Sequence, residues 1–422
     1  MKIAIIGGGF CGLTCAYSLQ KKDHSVFLFE KESGLGGLGG AFKNKNWEWS
    51  LERYYHHFFS SDGHLISLAE DLDIRDKLKF KTPITSVFLE NKIFRFDSPK
   101  TIFSFPLLSI IDKLRTGATT ALLKANPFWK PLEKVSADNF IKKTMGKNSY
   151  QKIWQPLLKS KFGSFFNEIP ASWFWTRIKK RSFSLGYFEG GNQVLIDNLS
   201  ENIKKNGGKI FLNHEIKSLD DVNRLGKFDK IVITAPAQTF LKIVPALSES
   251  YKNKVQKLKM IGFLNLVFSF KEKFLTDGTY WLNINNASFP FVAVVEHTNF
   301  IDPKYYSGEH VVYVGGYYPQ NHRYFKMKKE DILKEFLPYL KKINPQFNFE
   351  LYTLNFELFS NLYAQPIPTL NYSKTLLPSV KTPIPGLFWT SLHHVYPYDR
   401  GVNYAIKLGR EIADEIVKKT EK

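Results

Sequence analysis

The sequence predicts an α/β fold in which a Rossmann-like nucleotide domain is assembled from separated blocks and an α+β domain is interleaved between them. Three observations predict it. Residues 3–30, IAIIGGGFCGLTCAYSLQKKDHSVFLFE, run apolar strand, glycine turn, helix, apolar strand and acid. Residues 186–240 and 385–417 carry further strand and helix patterns around glycine and small-residue turns. The stretches between these blocks change character twice, to a mainly helical pattern near 99–181 and to β-branched and aromatic runs over 261–317.

The first block is a dinucleotide-binding βαβ unit. Gly7 permits the tight turn, Gly9 lets the backbone approach a pyrophosphate, and Gly12 lets the helix pack closely on the sheet. The helix, from about Gly12 to Leu19, aims free N–H groups and its positive dipole end at the phosphates, with Phe10 and Cys11 beside them as further contacts. Glu30 follows the second strand, placed to accept from a ribose diol, and Lys31 adjoins it. A second glycine cluster, SGLGGLGGAF (Ser33–Phe42), separates flavin from nicotinamide binding. Its Gly36, Gly37, Leu38 and Gly39 would let the backbone pass close to the ribityl chain and ring of FAD.

These motifs resemble the flavoprotein superfamily of amine oxidases, phytoene desaturases and protoporphyrinogen oxidases, to which UDP-galactopyranose mutase is related. The resemblance implies an FAD-binding domain of the glutathione-reductase type. It extends to PGLFWTSLHHVYPYDRGVNYAIKLGREIADEIV (Pro385–Val417), which reads as strand, irregular loop and closing helix from near Gly401. In relatives this helix faces the flavin pyrimidine edge, where a positive dipole end favours the charge of reduced flavin. Gly401, Val402 and Asn403 are the contacts so implied, with Ser391 at the strand end. The chain has Ser391-Leu392 where the family usually carries Gly-Asp, and Asp399 is the substitute contact considered. Gly186–Asn213 and Lys230–Phe240 are the middle pieces expected to rejoin the FAD sheet, bringing Ile216 and Ala235 to the cofactor. The expected division is 1–90, 185–258 and 361–422 for the FAD domain, 91–184 for a helical cap and 259–360 for an antiparallel substrate sheet.

Composition suits a large folded enzyme. Hydrophobic content of 43% with 23% charged residues indicates neither disorder nor a membrane-embedded chain. The apolar start is consumed by the first strand, no stretch reaches spanning length, and a cytoplasmic location is the default expectation. Cys11 and Cys15 read as packing residues, not as a disulfide or metal ligands, and no His or Cys cluster has zinc spacing. The net charge of +20 is consistent with a solvated basic surface, an anionic substrate or an acidic membrane face; no nucleic-acid module is present and no nucleic-acid partner is expected. Residues 101–131 mix bulky apolar side chains with Lys113, Arg115, Lys124 and Lys130. A helical cap with its basic face in water is the favoured reading there, peripheral membrane contact the other.

Three segments supply candidate chemistry. LERYYHHFF (Leu51–Phe59) offers Arg53, Tyr54, Tyr55, His56 and His57 where relatives place residues near the isoalloxazine; NLYAQPIPTLNY (Asn361–Tyr372) offers Tyr363 and Pro366. His393, His394, Tyr396 and Arg400 lie on the closing loop. His56, Tyr363 and Arg400 are the catalytic candidates, for a general base or an anion clamp. The expected function is an FAD-dependent oxidase, dehydrogenase or desaturase acting on a bulky, lipid-like or anionic small molecule. The alternatives are a redox-neutral mutase acting on a nucleotide sugar, and a non-enzymatic binding module on the same fold.

Overall fold

The computed structural model describes residues 1–349 and 355–418. Its nucleotide half is a five-stranded sheet, all parallel, in the order Lys209–Phe211, Ser25–Phe29, Lys2–Ile6, Lys230–Ile233, Leu387–Trp389. The strands are short apolar runs because both faces are covered, as a parallel sheet requires. Ile3, Ile5, Val26 and Leu28 join one core with the helices Phe10–Gln20, Asn192–Lys205 and Val402–Val417, while Ala4, Ile6 and Ile233 join another with Ala237–Ile243. The first and last helices approach closely at Gly409, where an added Cβ would stand 2.5 Å from the Cys11 carbonyl oxygen. Cys15 is buried in this core, and burial pushes the Cys11 thiol up to about 12, so both stay protonated and pack as small apolar groups.

The second half is a seven-stranded sheet in the order Phe356–Pro366, Met260–Phe270, His310–Tyr318, Ala293–Glu296, Thr279–Ile284, Ile84–Leu89, Lys92–Arg95. It is not wholly antiparallel, since Thr279–Ile284 pairs parallel with Ile84–Leu89. The hairpin of Ile84–Leu89 and Lys92–Arg95 thus belongs to this sheet, although it straddles the boundary expected at residue 90, and strand Phe356–Pro366 crosses the one expected at 360. The reason is non-local pairing, which leaves no mark in a strand's own composition. Over one end of the sheet sit the helices Ile110–Ala125, Ala137–Met145, Gln155–Phe162 and Ala171–Lys180, whose shared core of Tyr150, Phe162, Trp173 and Phe174 reaches Ile261 of the sheet.

Where the halves meet, Glu52 is fully buried. It accepts from Tyr187 Oη at 2.7 Å and from the Asn192 backbone N–H at 2.6 Å. Burial nevertheless pushes its carboxyl up to about 7. A raised carboxyl pKa means the folded state holds a proton that the unfolded chain releases near 4.5, so stability from this group is present in acid and lost as pH rises toward 7. Glu52→Gln is therefore expected to be more stable than the parent by about 2–3 kcal/mol at pH 8 and close to it at pH 5, in urea unfolding at the two pH values. An equal difference at both would show that Glu52 does not titrate in this interval.

Candidate active site

A single cavity of about 970 Å³ runs from the glycine turn, past the second glycine cluster, to the underside of the helical cap. At the nucleotide end the first turn is held by its neighbours. Glu30 accepts from the Gly8 N–H at 2.6 Å and from the Glu32 N–H at 2.9 Å, which clamps turn to loop and leaves a second lone pair on each oxygen for a diol. The Gly36 N–H donates to the Gly8 carbonyl at 2.8 Å, joining the two glycine clusters, and a Cβ on Gly9 would meet nothing nearer than 3.9 Å. The amides that open helix Phe10–Gln20 have no acceptor within it, so this mouth is an anion cradle of the kind a pyrophosphate fills. Gly36 has φ +101° and Gly37 φ +56°, conformations in which a side chain is strained.

Of the residues expected to hold the cofactor, Gly7, Gly9, Phe10, Cys11, Glu30, Lys31, Gly36, Gly37, Leu38, Gly39, Ile216, Ala235, Ser391, Gly401 and Val402 all border the cavity. Two do not. Gly12 faces back into the turn, with its missing Cβ directed at the Gly7 carbonyl, so its place is in helix packing. Asn403 is a strut: its buried Oδ1 accepts from the Leu65 N–H at 3.0 Å. The cavity has the parts FAD requires, namely an amide cradle for the diphosphate, a carboxylate for the ribose, and a second glycine cluster along which the backbone can lie close to the cofactor. Among the described residues no His, Cys, Asp and Glu group is arranged to hold a metal ion.

The far end is aromatic and cationic. Tyr55 meets Trp281 edge-on at 4.7 Å and Phe263 at 5.4 Å, and Tyr317 lies 4.8 Å from Phe263. Arg400 donates from Nε to Gln365 Oε1 at 3.2 Å and from Nη2 to Tyr317 Oη at 2.7 Å. Burial pushes the Tyr317 phenol up, and Arg400 and Lys161 outweigh it, so the hydroxyl sits below its ordinary value. Asp399 binds Lys161, with its carboxylate oxygens 2.8 Å and 3.0 Å from Nζ. Asp399 is thus the counter-ion of a cation cluster, and it borders the cavity.

His56, Tyr363 and Arg400 all reach the cavity. His56 directs Nδ1 at the Tyr54 carbonyl, which requires the proton on Nδ1 and leaves Nε2 as acceptor; burial pushes its pKa down to about 4, so it is neutral at pH 7 and a weak base. Arg53, Tyr54, Tyr55 and His57 border the space as well. The remaining closing-loop residues turn away: His393 Nδ1 pairs with Tyr372 Oη at 2.7 Å, His394 Nε2 with the Pro378 carbonyl at 3.1 Å, and Tyr396 Oη with Ser172 Oγ at 2.6 Å. Sequence reasoning did not single out Tyr317, Lys161 or Arg177 for the site. The aromatic and cationic alternation of helix Ala171–Lys180 is the signal that could have drawn attention to Arg177.

The parallel sheet, the amide cradle and the second glycine cluster joined to it define a flavin-binding dinucleotide fold. The chain belongs to the flavin containing amine oxidoreductase family, whose model matches residues 10–417. It is 22% identical over 240 residues to a 15-cis-phytoene desaturase of Synechococcus elongatus, a match that covers 51% of this chain and 50% of that protein. The chain thus matches about half the length of that relative. Two solved structures share the fold along nearly the whole chain. An oxidoreductase from Methanosarcina mazei has a TM-score of 0.73 at 20% identity, with 98% of this chain and 100% of that one covered. A reduced UDP-galactopyranose mutase has a TM-score of 0.75 at 14% identity, with 100% and 96% covered.

Proposed function

We propose that this protein is an FAD-dependent oxidoreductase that removes a hydride from a bulky, partly apolar substrate bearing an anionic group. The observation that carries this reading is the continuity of the cavity, which leads from the cofactor cradle directly to an aromatic-walled, cationic chamber. When bound, the flavin supplies a two-electron acceptor. The chain's own residues orient and enclose the substrate: Tyr55, Trp281 and Tyr317 form apolar walls, and the cap excludes water. Tyr317, whose hydroxyl Arg400 and Lys161 hold below its ordinary value, and His56, neutral with Nε2 as acceptor, both border the chamber; in its ionised form Tyr317 would take a proton as the hydride leaves, and His56 is the alternative base.

The cations also favour a second reading, a redox-neutral mutase acting on a nucleotide sugar. One experiment separates the two. The flavin is photoreduced without air, and its reoxidation by oxygen and by quinones is followed beside a UDP-galactopyranose titration. Rapid reoxidation with no response to the sugar is expected. Isomerisation of the sugar without net oxidation would replace the oxidoreductase reading.

A membrane surface is the partner best suited to the cap. Helix Ile110–Ala125 buries Thr116, Thr119 and Leu123, while Ile110, Ile111, Leu114 and Leu122 are more than half exposed beside Phe103 and Phe128. Lys113, Arg115 and Lys124 flank them, the pattern of an interfacial helix. Among the described residues no helix is long and apolar enough to cross a membrane. Ile111→Ser with Leu114→Ser is expected to weaken sedimentation with phosphatidylglycerol vesicles by at least about tenfold, because each buried apolar side chain contributes roughly 1.5–3 kcal/mol. Unchanged sedimentation would exclude this face as the contact.

A further inference from the structure

The buried carboxyl where the two halves meet has no cation to answer it. Among the described residues no Lys or Arg forms an ion pair with Glu52. The groups that face it are neutral and come from several elements. Tyr187 of strand Leu185–Phe188 donates to Oε2, and the first amide of helix Asn192–Lys205 donates to Oε1. Tyr280, Tyr306 and Tyr313 stand around this pair within electrostatic range, and Tyr313 donates to the Glu52 carbonyl at 2.7 Å. His297 follows behind them, its Nε2 2.9 Å from Tyr306 Oη, and burial pushes its pKa down to about 3, so it is neutral as well. The close approach is built into the chain: Gly191 has φ +77°, and a Cβ there would stand 2.6 Å from the Ser50 carbonyl oxygen and 3.1 Å from Glu52 Oε1.

Part of the cofactor wall hangs on this carboxyl. Asn192, whose amide it holds, donates from Nδ2 to the Gly39 carbonyl at 3.2 Å, and Gly39 borders the cavity. Segment Arg53–His57, every residue of which borders the cavity, starts at Glu52. Its Arg53 N–H donates to the Gly40 carbonyl at 3.1 Å, and its Arg53 carbonyl accepts from the buried Asn265 at 3.1 Å. We propose that Glu52 is a positioning residue of the flavin site, holding the second glycine cluster and segment Arg53–His57 together, and that its proton is coupled to reduction of the flavin. The proposal rests on flavin binding and is independent of the substrate reading above. A buried carboxyl without a cation keeps its proton into the neutral range, so both of its forms are populated near pH 7. The ionised form sets a negative charge in a low-dielectric region bonded to the cofactor wall, which opposes the charge of the reduced flavin. By reciprocity, reduction draws a proton onto Glu52. That proton comes from solvent and returns to it on reoxidation, and the hydride itself supplies both electrons, so no further reactant is needed.

The test measures the midpoint potential of the flavin by electrochemical titration of the FAD-loaded protein between pH 5 and pH 9, together with the FAD dissociation constant, in the parent, Glu52→Gln, Tyr187→Phe and Asn192→Ala. Glutamine is a close isostere: its oxygen accepts from the Asn192 N–H, and its amide donates to the Tyr187 hydroxyl, which accepts as readily as it donates. Parent and Glu52→Gln are expected to coincide at pH 5. At pH 9 the parent should hold a tenfold smaller ratio of reduced to oxidised flavin at the same applied potential, a midpoint lower by about 30 mV. Tyr187→Phe removes one donor to the carboxylate and is expected to move the break in the parent curve up by about one pH unit, a shift that a merely structural carboxyl would not produce. Asn192→Ala releases Gly39 and is expected to weaken FAD binding about tenfold while the break stays in place. Parallel curves for parent and Glu52→Gln over the whole range would overturn the coupling, and parent-like FAD affinity in Asn192→Ala would overturn the positioning role. If Glu52→Gln does not retain flavin, Tyr187→Phe still decides the coupling, because it leaves the carboxyl in place. No substrate enters these titrations, so failure of the oxidoreductase reading leaves their outcome unchanged.

Discussion

Gly12→Ala is expected to yield a protein with little or no bound flavin. A Cβ at this position would stand 1.9 Å from the Gly7 carbonyl oxygen and 3.2 Å from Thr234 Oγ1. Neither neighbour can give way cheaply. The Gly7 oxygen is backbone in a left-handed turn, φ +111°, and Thr234 Oγ1 is hydrogen bonded to the Ile6 and Gly7 carbonyls at 3.1 Å and 3.2 Å. The helix must therefore move away from the sheet, and its opening amides move with it, out of line with the cradle built around Gly9. Overpacking of this kind costs about 1–3 kcal/mol. Loss of a cofactor present at about a thousand times its dissociation constant removes roughly a further 4 kcal/mol. The ratio of flavin to protein absorbance and the rise in Tm on adding FAD check the effect. Gly117→Ala is the control, since a Cβ there meets nothing within 4 Å and helix propensity rises. Parent-like flavin content in Gly12→Ala would show that the turn relaxes without disturbing the site.

The second large effect is expected at Asp399. Asp399→Asn leaves Lys161 and Arg177 buried with no counter-ion, and breaking such a pair costs about 3–5 kcal/mol. Burial alone would raise the Asp399 carboxyl, but Lys161 and Arg177 dominate and hold it well below its ordinary 3.8. A depressed carboxylate contributes stability that is complete above the unfolded value and is lost as pH falls through the folded one. The gap between parent and variant should thus be constant from pH 5 to 7 and close only in strong acid. Burial outweighs Asp399 at Lys161 and keeps its pKa below 10.5, and without Asp399 it falls further. A lowered lysine pKa makes the unfolded chain bind more protons, so the variant should regain stability as pH rises toward 10. Chemical unfolding across pH 5–10 checks both slopes. A loss below 1 kcal/mol with no pH dependence would mean that solvent already screens the cluster.

The part of the site that binds the cofactor was legible in the sequence because local chemistry dictates it. A turn that must admit a pyrophosphate needs Gly7 and Gly9 whatever surrounds it, and an acid at residue 30 follows from the length of one βαβ unit. The strands and helices of this half were legible for the same reason, since their apolar runs and 3.6-residue spacing report burial directly. Asn403 shows the limit. Its position beside Gly401 and Val402 suggested a cofactor contact, but one helical step turns its side chain toward Leu65.

The chamber was another matter. Lys161, Arg177, Tyr317, Asp399 and Arg400 come from two cap helices, a sheet strand and the closing loop, and nothing in the spacing of such residues requires them to meet. Whether a lysine is solvated or buried is set by what packs over it, and the same composition that reads as a basic surface also hides a desolvated cluster. The sequence by itself determined that this chain folds around a flavin nucleotide, because that demand is met by the βαβ unit and the glycine cluster that follows it, within residues 3–42. Only the tertiary structure decided that the far end of the cavity is cationic, that His393 and His394 turn away from it, and that the cap shows an apolar face to water, because each depends on contacts between distant segments whose energies no local pattern records.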